Sequence, residues 1–137
     1  METTVLRKVE KNAETARLCY DAFNQGDLET VRKNFHKDIS WDTPGKSSMA
    51  GIKKGVDKVI DYLEKIGKET QGTFRANLDE LALSEDGRVV GIHNLTAKRK
   101  GKHLDLDCCM VFEFKDGKVC SGKEFGYDLY AWDDFWK

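Results

Sequence analysis

The chain has 137 residues, 39% of them hydrophobic and 34% charged, and its 23 lysines and arginines against 24 aspartates and glutamates leave a formal net charge of −1. That balance provides no broad positive field to attract phosphate backbones or anionic lipid, so neither nucleic acid nor a membrane surface is an expected partner. The length is that of one domain, expected over residues 1–137. No apolar run approaches the ~20 residues of a membrane span, and the polar opening METTVLRKVEKN lacks the apolar segment of a signal peptide; the expectation is a cytoplasmic protein.

From about Glu10 to Asn24 the residues Ala13, Ala16, Leu18, Cys19, Tyr20, Ala22 and Phe23 recur at helical spacing, and Gly26 stops this first helix. Asp27 is placed to cap a second, short helix carrying Leu28, Val31 and Phe35, because its carboxylate can accept from the first free backbone N–H groups. Ile39 and Trp41 alternate with Ser40 and Asp42 in a short strand that ends at Thr43-Pro44-Gly45, and a loop to about Gly55 follows. Val56, Val59, Ile60, Leu63 and Ile66 form the apolar stripe of a third helix, with Gly67 as its stop.

After the third helix the period changes to two. Strand-like runs at about 73–83, 88–99, 103–114 and 118–127 are separated by Glu85-Asp86-Gly87, Lys100-Gly101-Lys102 and Lys115-Asp116-Gly117, all hairpin signals. Helices first and consecutive hairpins behind predict an α+β fold, the helices packed on one face of a curved, mostly antiparallel sheet. The ending Tyr127 to Trp136 concentrates aromatic residues where an unpacked tail would be polar, so it should fold back as a closing segment.

Cys19, Cys108, Cys109 and Cys120 have no C-x-x-C spacing, and the adjacent pair must point to opposite faces of a strand; free thiols, and no metal or cofactor, are expected. Gly51 to Gly55 could cradle a phosphate, but one glycine pair without a full motif reads as a lysine-flanked loop entering a helix. Lys98 to His103 reads as a solvated hairpin tip.

The order of elements, with the strings YDAFNQGDLETV, ISWDTPG, VVGIHNLTAKRKGKHLDL, VFEFKDGKV and DLYAWDDFW, resembles the SnoaL-like branch of the ketosteroid-isomerase-like, nuclear-transport-factor-like fold over about residues 13–137. The resemblance implies a cone-shaped α+β barrel whose helices and sheet enclose an apolar pocket for a small hydrophobic molecule, and a homodimer joined through the outer sheet face. It does not imply one reaction, since members include isomerases, polyketide cyclases, epoxide hydrolases, dehydratases and non-catalytic modules. Where the steroid isomerases carry a catalytic tyrosine, a base aspartate and an oxyanion-hole aspartate, this chain has Cys19, Thr43 and Met110. That route needs a base and two donors, so steroid isomerisation is not expected. No pocket arginine matches the arginine–aspartate–arginine set of limonene-type epoxide hydrolases.

Aligned on this family, the inward set is Cys19, Phe23, Trp41, Thr43, Tyr62, His93, Leu95, Cys108, Met110, Phe112, Cys120, Gly122, Glu124 and Gly126. The closing segment reads as a structural cover of the pocket mouth or the dimer edge; the functional alternative makes Asp128 a rim acid and Trp132 or Trp136 part of the ligand wall. Asp105, Asp107, Val111, Lys123, Phe125 and Tyr127 then face outward. A plain two-residue turn at Asp116-Gly117 would pair Met110 with Lys123, whereas a glycine bulge in the turn would pair it with Gly122; we take the bulge, which puts Glu124 inside. His93, Cys108 and Glu124 would lie in a row across three strands, about 4.8 Å per step, with a water or substrate group bridging the ends. An imidazole exchanges protons near neutral pH, so His93 and Glu124 are the candidate acid–base pair. The alternative makes His93 a satisfied core histidine and Glu124 a partner of a tyrosine or tryptophan. Cys19 and Cys108 read as small core residues. Three classes stay open: an acid–base enzyme, a ligand carrier or sensor, and an interaction module using the outer sheet.

Overall fold

The computed structural model describes residues 2–137, with side chains from Arg7 onward. Helix α1 spans Glu2–Asn24, starting about eight residues before the apolar spacing announces it, because the polar first turns contain no breaker. It ends at Gly26, whose positive φ of 74° lets the Asp27 amide reach back to the Ala22 carbonyl at 2.8 Å. Asp27 caps α2 (Leu28–Lys33) as expected, its side chain accepting from the Thr30 amide. Phe35 is not on that helix. It opens β1 (Phe35–Thr43), which is longer than the predicted run from Ile39 and stops before Pro44.

The expected loop to Gly55 contains a strand, β2 (Gly51–Lys54), paired antiparallel with β1 from Ser40↔Lys54 to Thr43↔Gly51. Four exposed or half-buried residues show no alternation a sequence reading could detect. Helix α3 (Val56–Glu69) runs through Gly67 rather than stopping there; Ile66 is buried and holds the last turn down, and the chain leaves at Thr70, with left-handed residues at Gln71 (φ 51°) and Gly72 (φ 77°).

The strands β3 (Arg75–Leu83), β4 (Val89–Arg99), β5 (Lys102–Lys115) and β6 (Lys118–Gly126) match the predicted runs within two residues. The sheet order is β2-β1-β6-β5-β4-β3, antiparallel except between β1 and β6, which run parallel. Among the described residues β2 and β3 do not pair, so the cone is an open curved sheet rather than a closed barrel. Helix α1 packs on β3 and β4, α3 on β1, and a last helix, α4 (Leu129–Phe135), on β5. The core between these layers includes Val31, Ile39, Met49, Val59, Leu95 and Val119, each 2% exposed or less.

The β5–β6 register corrects the expected one. Asp116 (φ 53°) and Gly117 (φ 75°) form a plain two-residue turn that pairs Lys115 with Lys118. The bulge lies one step further on: Phe114 pairs with Val119 but Glu113 with Ser121, leaving Cys120 as the extra residue. Met110 therefore faces Glu124, not Gly122, and Gly122 faces Phe112. Two departures from the expected ladder cancel in parity, so Glu124 still points inward. A second bulge leaves Asp79 unpaired between Leu78↔His93 and Glu80↔Ile92, beside the site.

Candidate functional site

Helices and sheet enclose a cavity of about 70 Å³, room for roughly two waters. Its wall is built from Cys19, Tyr20 and Phe23 on α1; Val31 on α2; Phe35 and Trp41 on β1; Tyr62, Leu63 and Ile66 on α3; Phe74; and Ala76 on β3. The sheet adds His93, Leu95, Met110, Phe112 and Glu124, and α4 adds Trp132. All but Phe23 and Glu124 are buried, so a ligand would lose nearly all its water on entering.

The polar end of this apolar wall is His93, 4% exposed, held from two sides. Its Nδ1 lies 2.7 Å from the Tyr20 hydroxyl, and its Nε2 lies 3.2 Å from Glu124 Oε2. The second contact is short in distance but not aligned as a hydrogen bond, leaving Nε2 and Oε2 as buried polar atoms without a hydrogen-bond partner. The expected row across three strands is thus compressed. Cys108 is directly opposite His93 in the ladder, and the Glu124 side chain reaches across from β6, so no bridging water or substrate group is needed to join the ends. One ligand atom each from His93, Cys108 and Glu124 lies within 4.8 Å of the other two.

Tyr20 reaches His93 because β4 carries glycine at 91. A Cβ at Gly91 would come within 2.8 Å of Tyr20 Cζ and would also meet its hydroxyl. Burial, reinforced by the Glu124 charge, pushes the Tyr20 phenol well above its ordinary range, so the hydroxyl stays protonated. Tyr62 is pushed up in the same way by burial. The hydrogen bond from Thr43 Oγ1 at 2.8 Å partly opposes that, and Glu124 adds to it. Burial pushes the thiols of Cys19 and Cys108 up to about 12, which rules against either as a free thiolate nucleophile. Behind Tyr62, Lys53 Nζ sits 3.9 Å from the ring centroid and donates to the carbonyls of Met49 and Gly51; burial lowers its ammonium to about 8, against the pull of Asp42.

Of the residues expected in the pocket, Cys19, Phe23, Trp41, Tyr62, His93, Leu95, Met110, Phe112 and Glu124 line the cavity. Six do not. Thr43 is behind the wall, bonded to Tyr62. Cys108 flanks His93 and Glu124 without lining the space. Cys120 is the bulge residue, taken out of the inward alternation. Gly122 is covered by Trp41, whose Cε3 would lie 2.6 Å from a Cβ there. Gly126 backs onto Leu129, Leu106 and Cys108. Asp128 is not a rim acid but the N-cap of α4, accepting from the Ala131 amide at 3.1 Å.

Tyr20 is the residue that reading by family position passed over. Its signal was present: Ala16, Cys19, Tyr20 and Phe23 follow the i, i+3, i+4, i+7 pattern of one helix face. Trp132 completes the wall from α4, while Trp136 stacks on Phe74 and lies outside the lining.

Comparison with known proteins places these features in context. A family model described as SnoaL-like domain matches residues 16–122. The uncharacterized protein Rv0034 of Mycobacterium tuberculosis is 32% identical over 120 residues, 88% of this chain and 92% of that one. The structure of Bal32a, from a soil-derived mobile gene cassette, superposes with a TM-score of 0.94 at 52% identity, over 95% of this chain and 99% of that one. A protein of unknown function with a cystatin-like fold from Xanthomonas campestris superposes with a TM-score of 0.85 at 25% identity, over 91% and 97% of the two chains.

Proposed function

The chain belongs to the SnoaL-like family, and from that premise we propose that it takes a small hydrophobic molecule into the cavity and acts on it by acid–base chemistry at His93 and Glu124, in an isomerase, cyclase or hydrolase type of reaction. One observation carries the reading: an otherwise apolar, buried wall ends in His93 Nε2 and Glu124 Oε2, 3.2 Å apart and each without a hydrogen-bond partner. Unmatched polar atoms cost about 1–3 kcal/mol each when buried, and a ligand that hydrogen-bonds them removes that cost.

In this reading Glu124 takes a proton from an acidic C–H or O–H of the ligand, and His93 passes a proton to or from the opposite atom. Tyr20, kept protonated, donates to Nδ1 and so leaves the ring proton on Nε2, facing Glu124 and the cavity. The cavity of about 70 Å³ favours compounds of a few heavy atoms and requires movement of the wall for anything larger. A second reading, binding without turnover, is favoured by how near His93 and Glu124 already are to each other. On the outer sheet face Ile92 and Phe125 are 40% and 53% exposed, an apolar surface that supports a homodimer through that face.

The test is a thermal-shift screen against small apolar carbonyl compounds, acids and phenols, followed by turnover assays on any hit. A ligand at ~100 times its dissociation constant adds about 2.7 kcal/mol of stability. Glu124→Gln keeps shape and hydrogen-bonding capacity but removes the base. An enzyme loses turnover with its thermal shift retained, a carrier shows no turnover in either form, and the absence of any shift across the screen overturns the pocket reading.

A further inference from the structure

We propose that His93 Nε2, Glu124 Oε2 and Cys108 Sγ form a binding site for one divalent transition-metal ion of the zinc class, with the fourth ligand position turned to the cavity. The inference stands on the geometry of the cluster and does not depend on the acid–base reading; an ion here would occupy the two atoms that reading uses.

Distance comes first. Tetrahedral zinc with bonds near 2.0–2.2 Å to nitrogen and oxygen sets its N and O ligands about 3.3 Å apart. His93 Nε2 and Glu124 Oε2 are 3.2 Å apart, and all three ligand atoms fall within 4.8 Å of one another, so small side-chain rotations bring the sulfur to its bond length. Direction agrees with distance. The two atoms approach closely without a hydrogen bond between them, so neither is committed to the other as donor or acceptor and both are free to bind a third centre.

The donor set then selects the ion. Imidazole, carboxylate and thiolate suit zinc and its neighbours and are wrong for magnesium or calcium, which require an oxygen shell. Three protein ligands with one open position is the pattern of reactive rather than structural zinc sites. The surroundings fit as well. Metal-bound histidines are usually oriented by a hydrogen bond at the other ring nitrogen, and here Tyr20 Oη is 2.7 Å from Nδ1, ready to accept from Nδ1–H once the ion has taken Nε2. Cys108 is opposite His93 in the β4–β5 ladder and Glu124 opposite Met110 in the next, so two rigid strand pairs hold the ligands. Among the described residues no second group of three such side chains comes together.

Binding is a ligand exchange with a defined proton balance: the imidazole proton passes from Nε2 to Nδ1 as Tyr20 turns from donor to acceptor, the ion takes the Nε2 lone pair, a carboxylate oxygen and the sulfur, and the thiol proton leaves to solvent. The full chain, freed of metal by a chelator, is titrated with Co²⁺ and then with Zn²⁺. One Co²⁺ per chain is expected, with the visible bands of four-coordinate cobalt and a thiolate-to-cobalt charge-transfer band, both erased by equimolar Zn²⁺. Cys108→Ser should remove the charge-transfer band, whereas Cys120→Ser should retain it. Tyr20→Phe, which keeps every ligand, should weaken Co²⁺ binding on the order of ten-fold. Absence of the charge-transfer band in the parent protein, or its persistence in Cys108→Ser, overturns the proposal. Melting curves of each variant establish that it is folded before its spectrum is read. A thermal shift with an organic ligand and no cobalt band retires this site alone, and the reverse result retires the ligand pocket alone.

Discussion

Tyr20 on α1 and Gly91 on β4 share one space: the phenol lies where any side chain at position 91 would begin, a Cβ there coming within 2.8 Å of Tyr20 Cζ. The glycine is what allows a helix residue to reach His93 across the core. Gly91→Ala should therefore displace Tyr20 and cost about 1–3 kcal/mol by overpacking, while Tyr20→Phe should cost about 1 kcal/mol for the lost hydrogen bond. Denaturant unfolding of the two single variants and the double variant measures the coupling. A double variant equal to the sum of the singles would show that the two positions do not share this contact.

Alkaline stability carries a sign that follows from burial. Cys19 and Cys108 are raised from 9.0 to about 12 in the folded chain, and the phenols of Tyr20 and Tyr62 are raised as well. Each group keeps its proton in the folded state at a pH where the unfolded chain has released it. Their contribution is complete below pH 9 and is lost as pH climbs from 9 toward 12. Melting temperature should hold to about pH 9 and fall above it, the lowered Lys53 ammonium opposing part of the fall until its unfolded value of 10.5 is passed. Cys19→Ala should lower the whole curve by opening a small void, yet flatten its alkaline slope.

Asp128 distinguishes a cap from an acid. Asparagine caps a helix as well as aspartate does, whereas alanine does not. Asp128→Asn should leave stability within about 0.5 kcal/mol and leave ligand binding unchanged, and Asp128→Ala should cost roughly 1 kcal/mol and loosen the helix that brings Trp132 to the wall. A thermal-shift hit lost in Asp128→Asn would return the carboxylate charge to the site.

The outer face is tested by charge. Phe125→Glu puts a carboxylate into the exposed apolar surface that includes Ile92, and light scattering should show the dimer reduced to a monomer. A parent protein already monomeric at micromolar concentration would remove the proposed interface.

Most of the fold was legible because its signals are local: the stripe of Val59, Ile60, Leu63 and Ile66 on α3, the Asp27 cap and the glycine turns at 101 and 117 each act within a few residues. The helix end at Gly67 was misread because a buried Ile66 outweighs the intrinsic cost of a glycine, about 1 kcal/mol, in the last turn. Inward positions on straight stretches of strand, His93, Leu95, Met110 and Phe112, came from the family alignment and line the cavity, because period two carries an alignment along an unbroken strand. What sequence could not supply was where the ladder skips a residue. The ladder position of the bulge goes with which β6 residues are covered, Val119 in the core and Gly122 under Trp41, and none of this is written in the turn itself. Tyr20 was missed for a different reason, family position having been given more weight than the helical face on which it lies.

The bulge at Cys120 also makes the cavity's polarity depend on how β6 is laddered. Were Cys120 paired with Glu113 instead of skipped, the unbroken ladder would put Lys123 opposite Met110, and Lys123 and Glu124 would exchange faces: an ammonium would replace the carboxylate beside His93, and the carboxylate would move to solvent. A pocket suited to removing protons or holding cations would become one suited to anions, with no substitution at any wall residue. For this architecture the presence of the bulge acts as a charge switch, and relatives of the same length whose β6 ladder runs unbroken should differ in the sign of the ligands they accept.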